Sequence, residues 1–68
     1  MINLTLFFID YQQGSDLLKE GKYSSAITRF ESLIEMLDDN KDTISDYKEL
    51  KECIKNNIEG CKLLMKGF

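Results

Sequence analysis

Proline, histidine and tryptophan are all absent from this 68-residue chain. Without proline there is no rigid linker and nothing to interrupt long helices. Without histidine the chain lacks the commonest general base and metal ligand. Only two cysteines occur, Cys53 and Cys61. On one helix they stand about 12 Å apart at roughly 1.5 Å per residue, beyond the ~7 Å between Cα atoms that a disulfide can span. No Cys-x-x-Cys spacing suggests zinc, and two unpaired thiols suit a reducing, cytosolic setting. The few glycines, Gly14, Gly21, Gly60 and Gly67, lack the spacing of a phosphate-binding loop. No cofactor and no metal are expected.

Long hydrophobic runs are missing too. Residues 4–9 are strongly apolar, but a membrane span needs about 20 such residues. They also lack the basic start and small-residue cleavage site of a signal peptide, so no direct membrane insertion is expected. A net charge of −3 leaves no basic excess for phosphate contacts, and no nucleic-acid partner is expected. The charge is uneven. Residues 1–46 hold four basic and nine acidic groups, whereas residues 47–68 hold five lysines and three glutamates. The later segment reads as a solvated helix face rather than a phosphate site.

What is present is a helical protein. A 43% hydrophobic content beside 31% charged residues is too apolar for disorder and ordinary for a globular helical chain. A domain this small buries only about 60% of its unfolded surface. Such a core rarely supplies more than about 3–5 kcal/mol. The expectation is a single helical segment over residues 1–68, belonging to a larger helical domain.

The spacing predicts three helices, over about 5–20, 24–37 and 43–67. The first starts with Thr5 as N-cap and stops at Gly21 in the left-handed conformation. Its stripe runs through Phe7, Tyr11, Gly14, Leu17 and Leu18. Leu6, Phe8 and Ile9 widen that stripe beyond what one partner helix covers, so either the N-terminus is clamped under the third helix or, the favoured reading, it packs against a neighbour outside the chain. The second helix carries a complete amphipathic stripe of Tyr23, Ala26, Ile27, Phe30, Leu33, Ile34 and Leu37. The short connection makes the first two helices an antiparallel hairpin. Its expected core is Gly21, Tyr23, Ala26, Phe30 and Leu33.

Asp38, Asp39, Asn40, Lys41 and Asp42 form the second connection. The run is similar to a calcium loop, but lacks the glycine and the closing twelfth-position Glu of one. Thr43 then opens the third helix, with Asp46 completing an imperfect capping box. Its seam is Tyr47, Leu50, Ile54, Ile58, Cys61, Met65 and Phe68, near a heptad repeat. Gly60 is costly inside a helix, which predicts a close helix crossing there. The seam reaches Phe68 without a cap, so the helix is expected to continue. The fold class is therefore all-α, an antiparallel hairpin plus a third helix in a tetratricopeptide-like three-helix bundle.

Chemistry is not visible in this pattern. No Ser or Cys has a base beside it. Asp10, between Ile9 and Tyr11, is a lone carboxylate with no second catalytic group, and reads as a helix-edge residue reaching solvent or an Arg. The chain is not expected to be an enzyme.

Gly14, Gly21, Tyr23, Ala26 and Phe30 resemble a generic tetratricopeptide repeat, although Asp10 and Gln13 stand where that repeat wants large apolar residues. In length the chain is also similar to the microtubule-interacting and trafficking domain, but Cys61-Lys62-Leu63-Leu64-Met65 lacks that family's usual ending. Gly21-Lys22-Tyr23, Ala26, Phe30, Ser32, Leu33 and Ile34 resemble the C-terminal helical region of the coatomer alpha subunit of the COPI vesicle coat. The likeness resumes at Asp39-Asn40-Lys41 and Lys48-Glu49-Leu50 and continues through Lys55, Gly60, Lys62 and Lys66. It departs from the family at Met36-Leu37-Asp38, where a proline-bearing stretch is missing, and around Asn56-Asn57, where an aromatic is expected.

That resemblance implies a non-catalytic subunit-assembly element that contacts the coatomer epsilon subunit in Golgi-to-ER and intra-Golgi transport. It implies a cytoplasmic protein peripherally associated with Golgi membranes and COPI vesicles. Phe7, Phe8, Ile9, Met65 and Phe68 would be the partner-binding residues. The alternative is a stand-alone module of the trafficking-domain or tetratricopeptide kind, binding an amphipathic partner helix of another helical protein in a groove.

Overall fold

The computed structural model describes residues 4–67, and for residue 4 the backbone alone. Its three helices are α1 (Leu4–Lys19), α2 (Tyr23–Asp39) and α3 (Tyr47–Lys66). The fold is all-helical, as the periodicity predicts. The helices form a bundle of 39 × 18 × 14 Å. In it α2 is the middle element, packed against α1 on one side and α3 on the other.

The first turn is set by Gly21, whose φ of +81° is strained for any residue with a Cβ. Lys22 N–H donates to Leu17 O at 2.9 Å and Gly21 N–H donates to Leu18 O at 3.1 Å. This pair of bonds is a Schellman motif, which satisfies the last carbonyls of α1 while reversing the chain. Gly21 itself is exposed, with open space around it. It belongs to the turn, not to the hairpin core where the sequence reading placed it. Tyr23 is half-buried, and Ala26, Phe30 and Leu33 are fully buried.

The core comprises Phe7, Ala26, Phe30, Leu33, Leu37, Ile54, Ile58 and Cys61. These positions recur at three- and four-residue steps on α2 and α3, so one face of each helix is inward. On α1, Phe7, Tyr11 and Gly14 take the inward face, with Phe7 and Gly14 buried and Tyr11 half-buried. No buried side-chain polar atom among the described residues lacks a partner.

Three expectations are corrected here. Thr5 lies inside the first turn of α1, which begins at Leu4. Thr43 does not open α3. Its hydroxyl donates back to Asn40 O at 2.9 Å, and its N–H to the same carbonyl at 3.0 Å. Both groups are spent closing the turn, and Ile44 packs onto the core, so the helix starts only at Tyr47. Asp46 takes the N-cap position without a side-chain capping bond. At the other end, α3 closes at Lys66, where Gly67 adopts φ +67° and donates to Leu64 O at 3.3 Å. Phe68 lies outside the described residues.

The close crossing forms at Gly14, not at Gly60. A Cβ on Gly14 would stand 2.7 Å from Cε1 of Phe30, whereas one on Gly60 would meet nothing within 4 Å. Gly60 thus carries the helix-propensity cost without a packing reason for it. Gly14→Ala is expected to destabilise the fold by about 1–3 kcal/mol through overpacking. Gly60→Ala is expected to stabilise it by roughly 0.5–1 kcal/mol. Urea denaturation of both variants checks the opposite signs.

Candidate protein-interaction site

Two clusters of side chains hold the three helices in register and shape the surface between them. The first joins α1 to α3. Asn57 Nδ2 donates to the Tyr11 hydroxyl at 2.7 Å, and Cys53 Sγ lies 3.7 Å from the same oxygen. Tyr11 also tilts against Phe30, with ring centroids 5.8 Å apart. Burial, chiefly, raises the Tyr11 pKa above 10.0, Cys53 adds to the rise, and the Asn57 bond opposes it.

The second cluster joins α2 to the start of α3. Tyr47 OH and Lys51 Nζ donate to the same Asp38 oxygen at 2.5 and 2.9 Å, and Lys51 also donates to Tyr47 OH at 3.2 Å. Asp38 sits at the end of α2 where the helix dipole disfavours an acid. Its two donors offset that penalty. Asn40 closes the same helix end, its Nδ2 donating to Met36 O at 2.8 Å. This is why α2 runs to Asp39 rather than stopping at Leu37.

Grooves among the described residues shape the surface left around this scaffold. One between α2 and α3 is lined by Glu31, Ile34, Glu52, Lys55, Asn56, Ile58, Glu59 and Lys62, with a volume of about 460 Å³. It has an apolar floor and charged walls of both signs. A second, of about 370 Å³ between α1 and α2, is of mixed character, with Leu17, Leu33 and Met36 beside Asp10 and Arg29, which stand 3.8 Å apart. That pair is partly exposed and contributes little. Asp10 thus reaches an Arg, one of the two ends its position allows. The third groove, of about 250 Å³ between α1 and α3, is almost wholly apolar and is lined by Phe7, Phe8, Tyr11, Leu50, Cys53 and Ile54.

The residues expected to bind a partner divide. Phe7 is 1% exposed and packs in the core, so it offers almost no surface to a partner. The reason is angular. Phe7, Tyr11 and Gly14 share the inward face, and Phe8 stands about 100° further round the helix. Phe8 and Ile9 are 54% and 48% exposed, and Met65 is 51% exposed. Phe68 lies outside the described residues. Leu6, already in the widened stripe, is exposed too, and the structure adds Leu63 and Leu64, both large apolar residues with exposed side chains. The consecutive run Leu63, Leu64 and Met65 could have signalled this, because three adjacent positions cannot share one helical stripe. Phe8 and Ile9 lie at one end of the bundle and Met65 at the other, so they do not form a single patch.

Among the described residues no group of three or more His, Cys, Asp or Glu is arranged to hold a metal. Among the described residues no helix is long and apolar enough to cross a membrane. No family model, no curated protein and no solved structure matches the chain.

Cys61 is fully buried, with its thiol pKa raised by desolvation, and Cys53 is exposed. A maleimide should label one thiol per native chain quickly and the second only in denaturant, as read by mass spectrometry. The Tyr47 bond, then Lys51, holds the Asp38 carboxyl below its ordinary 3.8. Its stabilisation is present above that value and is lost as pH falls through the lower folded value. A carboxyl-carbon NMR titration should therefore give a depressed midpoint. Tyr47→Phe should return it further toward 3.8 than Lys51→Met does.

Proposed function

We propose that this chain is a non-catalytic helical assembly element that joins protein subunits through apolar side chains left outside a closed core. The observation that carries this reading is the exposure of Phe8, Ile9 and Met65 on a bundle whose core is already complete. Large exposed apolar groups at such positions mark protein contacts. The absence of a base–nucleophile pair in the sequence supports a role without catalysis. Within this class, the resemblance to the coatomer alpha C-terminal region makes the epsilon subunit the partner to test. The setting would then be the COPI coat in Golgi-to-ER and intra-Golgi transport, on the cytoplasmic side of Golgi membranes and vesicles.

A second reading is favoured by the groove between α2 and α3. Ile34 and Ile58 form its apolar floor, and Glu31, Glu52, Glu59, Lys55 and Lys62 its charged walls. An amphipathic helix from a partner fits such a surface, as in trafficking-domain and tetratricopeptide-like modules.

Co-expression with a coatomer epsilon subunit, followed by size-exclusion chromatography, separates the two. Under the leading reading the proteins co-elute, and Ile9→Lys or Met65→Glu weakens binding at least about tenfold, or 1.4 kcal/mol. Asn56→Trp, which fills the α2–α3 groove, leaves that binding unchanged. Loss of binding with Asn56→Trp alone favours the groove, and no co-elution of the wild-type chain overturns the coat assignment.

A further inference from the structure

The two exposed apolar clusters differ in the charge around them. α1 and α3 run parallel, which places Phe8 beside Leu50 and Cys53 in the groove between the helices. From Cys53, the residues Leu63 to Met65 lie about 15–18 Å further along α3 at 1.5 Å per residue. The Phe8 end is closed by residues 35–52, which carry seven carboxylates and three lysines. The Met65 end is built from residues 16–28 and 59–66, which carry four cations and three carboxylates, Arg29 being turned toward Asp10. Neither net excess is neutralised by an ion pair to the rest of the described fold. Asp39, Asp42 and Asp46 have no ion-pair partner among the described residues, and neither do Lys19, Lys22 and Lys66.

An elongated molecule with an acidic apolar end and a basic apolar end is complementary to its own copy end to end. Like ends placed together would repel. We propose that the chain associates head-to-tail with further copies of itself, the Phe8 and Ile9 end of one docking on the Leu63 and Met65 end of the next. Apolar side chains form the centre of the contact, and aspartates face lysines around its rim. This deepens the assembly-element reading and rests on it. The contact is heterologous, so every added copy presents a fresh end. Growth continues into open chains unless the rotation closes a ring.

Sedimentation velocity of the full chain tests this. The wild type should grow beyond a dimer as its concentration rises from about 10 µM to 1 mM. Raising salt from about 0.05 to 0.5 M should weaken that association at least tenfold by screening the rim charges. Ile9→Lys blocks one end and Met65→Glu the other, both at exposed positions, and unchanged thermal melts verify their folds. Each variant alone should be monomeric. Their equimolar mixture should give a heterodimer and nothing larger, because only one compatible pair of ends remains. A wild-type chain that stays monomeric at about 1 mM in low salt overturns the proposal. So does either variant associating alone as the wild type does. A monomeric wild type that still co-elutes with the epsilon subunit overturns self-association while leaving the assembly reading in place.

Discussion

The contact of the Phe30 ring with the bare backbone of Gly14 is the constraint on which the rest of the bundle depends. With any larger residue at position 14, either the buried Phe30 ring or the α1 backbone would have to shift. Phe30 is fully buried and Tyr11 leans on it. Displacing α1 would therefore carry Tyr11 away from Asn57 and Cys53, its partners on α3. One close approach thus positions two helix pairs at once. The conformational penalty of a mid-helix glycine is offset by the packing it allows.

α2 carries the remaining burden. It supplies half of the fully buried core, and both neighbours pack against it. The Schellman turn at Gly21 fixes α1 on one side. The Asp38, Tyr47 and Lys51 cluster, with Asn40 beside it, fixes the other. Neither connection is long, so the bundle's order follows from chain reversal rather than from distant pairing. The core is closed by residues on all three helices, which leaves Phe8, Ile9, Leu63, Leu64 and Met65 as exposed apolar groups outside it, Phe8 touching it only through an edge contact with Phe7.

Much of this was legible in the sequence, because helical periodicity reports the inward face directly. Ala26, Phe30 and Leu33 on α2, and Ile54, Ile58 and Cys61 on α3, follow from it. What it leaves open is the rotation of each helix against its neighbour. Phe7 and Phe8 are both aromatic and adjacent, and only the bundle geometry decides that Phe7 turns inward. Gly14 and Gly60 present the same difficulty. Each is a glycine near an apolar stripe, and a close approach needs a facing side chain that no linear pattern names. Thr43 illustrates competition between hydrogen bonds, since a hydroxyl that can cap a helix can equally close a turn. The charge asymmetry was visible along the chain. Its division between two ends of one molecule appears only once α1 and α3 are parallel.

The arrangement also separates stability from interaction. Core packing is carried by residues that any partner cannot reach, and the exposed apolar clusters at the two ends can change without emptying it. Such a division suits a small assembly element, in which contact surfaces and the fold meet different demands. It all presupposes that Gly14 faces the Phe30 ring. A nuclear Overhauser spectrum of the folded chain measures that contact most directly. Strong cross-peaks between the Gly14 α-protons and the Phe30 ring protons are predicted, whereas their absence in a folded, sharply resolved spectrum would contradict the account.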